Sequence, residues 1–124
     1  MSDNRSYGRA RIEVDALIYE AQDNTEIPCK IDNVSERGIC FRISLPEPKC
    51  ANLRVGDTLR FQFTDMLTTH STDEEVILSH KCIIRHLTQD DDYLTVGCYV
   101  TEPEFEKYVI LKKIAPLINK IQDV

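Results

Sequence analysis

No run of about 18 apolar residues occurs anywhere in these 124 residues, so no segment spans a bilayer as a helix. The opening stretch, MSDNRSYGRARIEVD, has no apolar centre and carries no export signal. No glycine-rich loop follows a strand pattern, which excludes a phosphate cradle of that kind. His70, His80 and His86 lie beside no serine or cysteine nucleophile signature. Carboxylates are plentiful, but they fall on exposed strand faces and in the Asp90-Asp91-Asp92 turn, where solvation accounts for them. Together these absences argue against an enzyme. Internal repeats and low-complexity tracts are also missing.

Cysteine is present without a pairing pattern. Cys29, Cys40, Cys50, Cys82 and Cys98 are odd in number and widely spaced. Without an export signal they read as reduced thiols of a cytoplasmic protein. Cys29, Cys82 and Cys98 sit inside alternating apolar patterns, where a thiol serves as a small core hydrophobe. His80 and Cys82 can share a strand face, but no second pair has ligand spacing, so no metal is expected.

Positive charge is scarce: 15 Lys and Arg stand against 21 Asp and Glu, a net charge of -6. That balance disfavours DNA, RNA and anionic membranes, which bind through Lys and Arg. Yet Arg5, Arg9 and Arg11 fall within seven residues. Such a cluster on an acidic chain points to one small anionic ligand; the competing reading is arginines simply solvated near a terminus.

The remaining composition, 42% hydrophobic and 29% charged, is that of one ordinary globular domain. Residues 1–10 are polar and aperiodic and predict a mobile arm. From Ile12 the apolar period is two. Ile12, Val14 and Ala16 alternate with acids; Ile27, Cys29 and Ile31 alternate with Pro28, Lys30 and Asp32. Ile39, Phe41 and Ile43, then Leu59, Phe61 and Phe63, then Leu94, Val96, Cys98 and Val100 repeat the pattern. Glu75 to Leu87 is more continuous and reads as one long, bent strand. Turn residues separate the strands at Asp23-Asn24, Ser35 to Gly38, Pro46 to Pro48, Val55 to Asp57 and Asp90 to Asp92. Six strands without intervening helices predict a mostly β fold: an antiparallel sheet closed into a barrel, which removes its edges.

From about Pro103 to Ile121 the spacing becomes helical, with Phe105, Tyr108, Val109, Leu111, Ile114, Leu117, Ile118 and Ile121 on the apolar stripe. Thr101-x-x-Glu104 has the capping-box pattern, and Pro116 predicts a kink or break near Ala115. The expected organisation is therefore an arm over 1–10, a barrel over 11–101 and a helix over 102–124 packed on or beside it.

Two short patterns remain, Arg5-Ser6-Tyr7-Gly8-Arg9 (RxxxR) and Asn33-Val34-Ser35-Glu36-Arg37-Gly38 (NxSxxG). Each alone is common, the second being ordinary hairpin-turn chemistry. Their order, the separation of about 24 residues between Arg9 and Asn33, and the barrel-then-helix layout together resemble the PilZ domain, the bacterial receptor for cyclic di-GMP. Leu53-Arg54-Val55-Gly56-Asp57-Thr58-Leu59 and Val96-Gly97-Cys98-Tyr99-Val100 extend the resemblance over nearly the whole chain.

The resemblance implies a site. Arg5 and Arg9 would clamp bases and phosphates from the arm, since a guanidinium fork fits a phosphate or the O6 and N7 of guanine bidentately. Asn33, Ser35 and Gly38 would form the floor, the asparagine and serine by hydrogen bonding and the glycine by permitting close approach. Asn4 and Arg11 are flanking candidates. Asn33 stands where the family often has Asp, which removes a charge but keeps the acceptor oxygen. Asn4 stands where an arginine tends to accompany a stacked ligand dimer, which points to one ligand per domain unless Arg11 substitutes. The implied protein is a cytoplasmic monomer or homodimer with no cofactor. It signals through an unidentified protein partner to motility, exopolysaccharide synthesis or a related output. The alternative is a PilZ-like interaction module that binds no nucleotide; such members usually lack the motif arginines, and this chain keeps both.

Overall fold

The computed structural model describes residues 10–22, 24–69 and 72–122. Six strands, β1 (Ala10–Glu20), β2 (Glu26–Ser35), β3 (Gly38–Ser44), β4 (Thr58–Thr69), β5 (Thr72–Gln89) and β6 (Tyr93–Val100), precede one helix, α1 (Pro103–Gln122). The strands close a barrel in the order β1-β2-β3-β6-β5-β4, and every neighbouring pair is antiparallel. The mostly β barrel with a C-terminal helix is thus the observed fold, with strands that outrun their apolar cores. The long strand read from Glu75 to Leu87 spans Thr72 to Gln89. Its apolar run is not buried on both sides: Ile77 is 64% exposed and Leu78 only 3%.

The alternating residues point inward as their period requires. Ile18, Ile27, Ile31, Phe41, Leu59, Phe61, Ile84 and Val96 are fully buried. Short turns hold the strands in register. Asp90 accepts from the backbone N–H of Asp92 and Tyr93, both at 2.8 Å. Asp57 accepts from Arg54 N–H at 3.0 Å, and Gly56 adopts φ +96°, a conformation L side chains resist.

Helix α1 covers the barrel beside β4. Phe105, Tyr108 and Val109 are buried, and Phe105 packs edge-on against Phe61 at 5.6 Å between ring centroids. The Tyr108 hydroxyl donates to Asp65 at 2.7 Å, and Lys112 pairs with the same carboxylate at 2.8 Å. The buried stripe is narrower than its sequence implies. Leu111 and Ile114 are 45% and 38% exposed and share the outer face with Ile110. The reason is geometric: at 100° per residue, positions 105, 108, 109 and 112 meet the barrel and 110, 111 and 114 lie opposite.

The helix also continues through Pro116 without the expected break. Proline there removes its own N–H bond to the Lys112 carbonyl and crowds that carbonyl, a local cost that does not end the helix. At the other end the capping-box reading gives way to a different arrangement. Phe105 N–H donates to the Glu102 carbonyl at 3.1 Å. The Glu102 carboxylate meets His80 Nδ1 at 2.5 Å and accepts from Lys81 N–H at 3.2 Å. Glu102 therefore fastens the start of α1 to β5.

Candidate functional site

Three ladder irregularities shape the outer surface. In β2, Ile31 pairs with Phe41 but Asn33 pairs with Cys40, so Asp32 is an extra residue. A bulge of this kind shifts the inward–outward parity by one. Ile31 and Val34 are consequently both buried, and Asn33 and Ser35 share the outer face. Without the bulge Asn33 would follow Ile31 into the core. In β1 a matching irregularity between Arg11 and Val14 keeps Arg11 paired with Asn33 and Ala10 with Val34. In β5 the shift between Ile84 and His86 leaves both Arg85 and His86 exposed.

Ser35 pairs with Gly38 across a two-residue turn, and Val100 N–H donates to the Arg37 carbonyl at 2.9 Å, tying the turn to β6. A Cβ on Gly38 would stand 2.8 Å from the Ser35 hydroxyl, so glycine is what lets that oxygen lie over the strand. Gly97 lies under the His86 side chain, where a Cβ would make ordinary van der Waals contact at 3.4 Å.

These small residues lie low between larger ones. They make an open groove of about 500 Å³ across β3, β6 and β5, lined by Ser35, Arg37, Gly38, Cys40, Arg85, His86, Gly97 and Tyr99 among others. The Arg85 guanidinium lies 5.2 Å from the Tyr99 ring centre, a cation–π distance. Arg37 and Arg85 give this groove positive charge on an acidic molecule. A larger cleft of about 750 Å³, among Leu45, Leu53, Leu87 and Leu94, is lined by none of Asn33, Ser35 and Gly38.

Of the site residues expected from sequence, Ser35 and Gly38 line the groove. Asn33 stands beside it, opposite Cys40, and its amide donates to Asp32 at 3.1 Å. Asp32 in turn lies 3.8 Å from Arg42. Arg11 is brought to this end of the sheet by its backbone pairing with Asn33. Asn4, Arg5 and Arg9 lie outside the described residues. Sequence reasoning missed Arg37, Arg85, His86 and Tyr99. The available signal was Arg85-His86, two consecutive polar residues that interrupt the alternation of Cys82, Ile84 and Leu87.

Two buried thiols are held in the neutral form. All five cysteines are thiols, and burial pushes Cys29 up to about 12, so its reactive anion is suppressed. Cys98 is raised as well, through its hydrogen bond with Cys82 and then through burial.

A PilZ-domain family model matches residues 3–113. The chain belongs to the PilZ family, whose domains are binding modules rather than typical enzymes. Solved structures show the same fold at low identity. The Bacillus subtilis inhibitor of motility, MotI/DgrA, is 16% identical with a TM-score of 0.60, over 91% of this chain and 53% of that one. The PilZ domain of Escherichia coli YcgR with c-di-GMP is 11% identical, TM-score 0.59, over 92% of each chain. MrkH of K. pneumonia, in complex with c-di-GMP, is 10% identical, TM-score 0.59, over 92% of this chain and 51% of that one. This chain thus spans about half the length of MotI and MrkH. No curated protein matches it. Among the described residues, no helix is long and apolar enough to cross a membrane.

Proposed function

We propose that this chain is a cyclic di-GMP receptor that binds the dinucleotide in the groove beside the Ser35–Gly38 turn. The observation that carries the reading is the meeting of Ser35 and Gly38 with Arg37, Arg85 and Tyr99 on one outer face. Guanidinium groups and a tyrosine ring suit a ligand with two phosphodiester charges and two guanine faces. Asn33 adds an amide at the rim, and the Arg11 backbone pairs with it.

Arg9 precedes Arg11 by two residues in the sequence, and the Arg11 backbone pairs with Asn33. In this reading Arg9 and Arg5 close over the ligand and fix the segment that carries them. Fixing about ten residues costs on the order of 10–20 kcal/mol if they start free. A micromolar complex nets about -8 kcal/mol, so the gross interaction must be large, as paired guanidinium–phosphate bonds and base stacking allow. The complex signals in the cytoplasm to a protein partner, with motility or exopolysaccharide synthesis as output.

Calorimetric titration with cyclic di-GMP tests the reading. The parent binds; Arg9→Ala and Arg85→Ala each lose about tenfold or more, and ligand at 100 times Kd stabilises the parent by about 2.7 kcal/mol. Arg9→Ala binding as tightly as the parent overturns the role given to the arginine clamp. The exposed Ile110, Leu111 and Ile114 on α1 favour a second reading, an interaction module without nucleotide. A parent that shows neither heat nor thermal shift with cyclic di-GMP selects it.

A further inference from the structure

Glu36 stands at the tip of the turn, one residue from Ser35 and two from Gly38. Its neighbours on both sides, Ser35 and Arg37, line the groove, so an unpaired carboxylate there would repel an entering anion. Its charge is instead met by α1: Lys113 Nζ donates to Glu36 Oε1 at 2.6 Å, across 77 residues of sequence. That bond also holds the Glu36 carboxyl below its usual 4.5. Lys113 owes its place to the seating of the helix. The preceding residue, Lys112, pairs with Asp65, and Tyr108 bonds the same Asp65 from one turn earlier.

We infer that Lys113 is a positioning residue of the anion site, acting through Glu36 rather than on the ligand. With α1 seated, the turn presents a neutralised carboxylate to the groove. With α1 displaced, it presents a bare one. Occupancy of the groove by an anion and the seating of α1 are then a single coupled equilibrium, and each favours the other. The helix thereby becomes the element that senses the ligand, although among the described residues none of the helix lines the groove. This inference rests on the cyclic di-GMP reading given above.

The test is a double-mutant cycle on the full chain, titrated with cyclic di-GMP at low and at high salt. Lys113→Gln should weaken binding about threefold or more at low salt, the size expected of one exposed charge, and the loss should shrink at high salt. Lys113→Arg should restore the affinity. Glu36→Gln should bind at least as well as the parent, and Glu36→Gln with Lys113→Gln should match Glu36→Gln alone. A double variant as weak as Lys113→Gln assigns the lysine to packing or to direct ligand contact and overturns the inference, as does Lys113→Gln binding like the parent. A parent that fails to bind removes the receptor reading and the inference with it; a parent that binds while the cycle shows no coupling removes the inference alone.

Discussion

Gly38 and Ser35 act as a unit: the missing Cβ of one is the space occupied by the hydroxyl of the other, 2.8 Å from where that Cβ would be. The serine side chain has one rotatable bond, so it can move aside for a methyl group at little cost to the fold. Gly38→Ala is therefore expected to change stability by less than about 1 kcal/mol in urea denaturation. The same variant should weaken cyclic di-GMP binding about tenfold, because the displaced hydroxyl no longer points over the groove. Equal binding by parent and variant would show that Ser35 takes no part. The NxSxxG pattern made both residues visible in the chain. Arg85 and Tyr99 were not visible as a pair, because 13 residues and a turn separate them, and only the β5–β6 ladder sets one guanidinium over the other's ring.

At the level of elements, period-two alternation located five strands, since each buries one face and wets the other, and a more continuous apolar run located β5. It did not locate the bulges. A bulge changes the partner of every residue beyond it, and the partner strand is absent from a one-dimensional pattern. The β2 bulge is the case that matters, because it turns Asn33 outward beside Ser35. Helical spacing likewise located α1, but not which apolar residues it buries. The barrel face is narrow, and it takes Phe105, Tyr108 and Val109 while Ile110, Leu111 and Ile114 stay in solvent. Phe105 is a main anchor of that docking: it is fully buried and packs against Phe61, Tyr108 and His80. Phe105→Ala is expected to cost about 3–5 kcal/mol, read as a fall in the urea midpoint. A loss below about 1 kcal/mol would mean that α1 contributes little to the barrel.

For the whole molecule, charge and burial define a window of pH. Glu102 lies below its usual 4.5, first through its bond with His80, and Glu36 lies low through Lys113. The folded chain holds these protons less tightly than the unfolded chain, so their stabilisation is complete above about pH 4.5 and fades as pH falls through the lowered values. Cys29 has the opposite sign: raised from 9.0 to about 12, it favours the fold below pH 9 and loses that contribution as pH rises through 12. Burial, helped by Asp65, raises Tyr108 in the same sense. Urea midpoints should therefore form a plateau from about pH 5 to 9 and decline on both sides. A midpoint that keeps rising below pH 4 would contradict the roles of Glu36 and Glu102. The class of fold and the location of the motif turn were already written in local patterns: alternation, helical spacing and turn chemistry are short-range properties that a chain carries before it folds. Which side chains meet around the groove was not. Arg85, Tyr99 and Lys113 reach the Ser35–Gly38 turn through strand pairing, bulges and helix docking, and those depend on contacts between residues far apart in the chain.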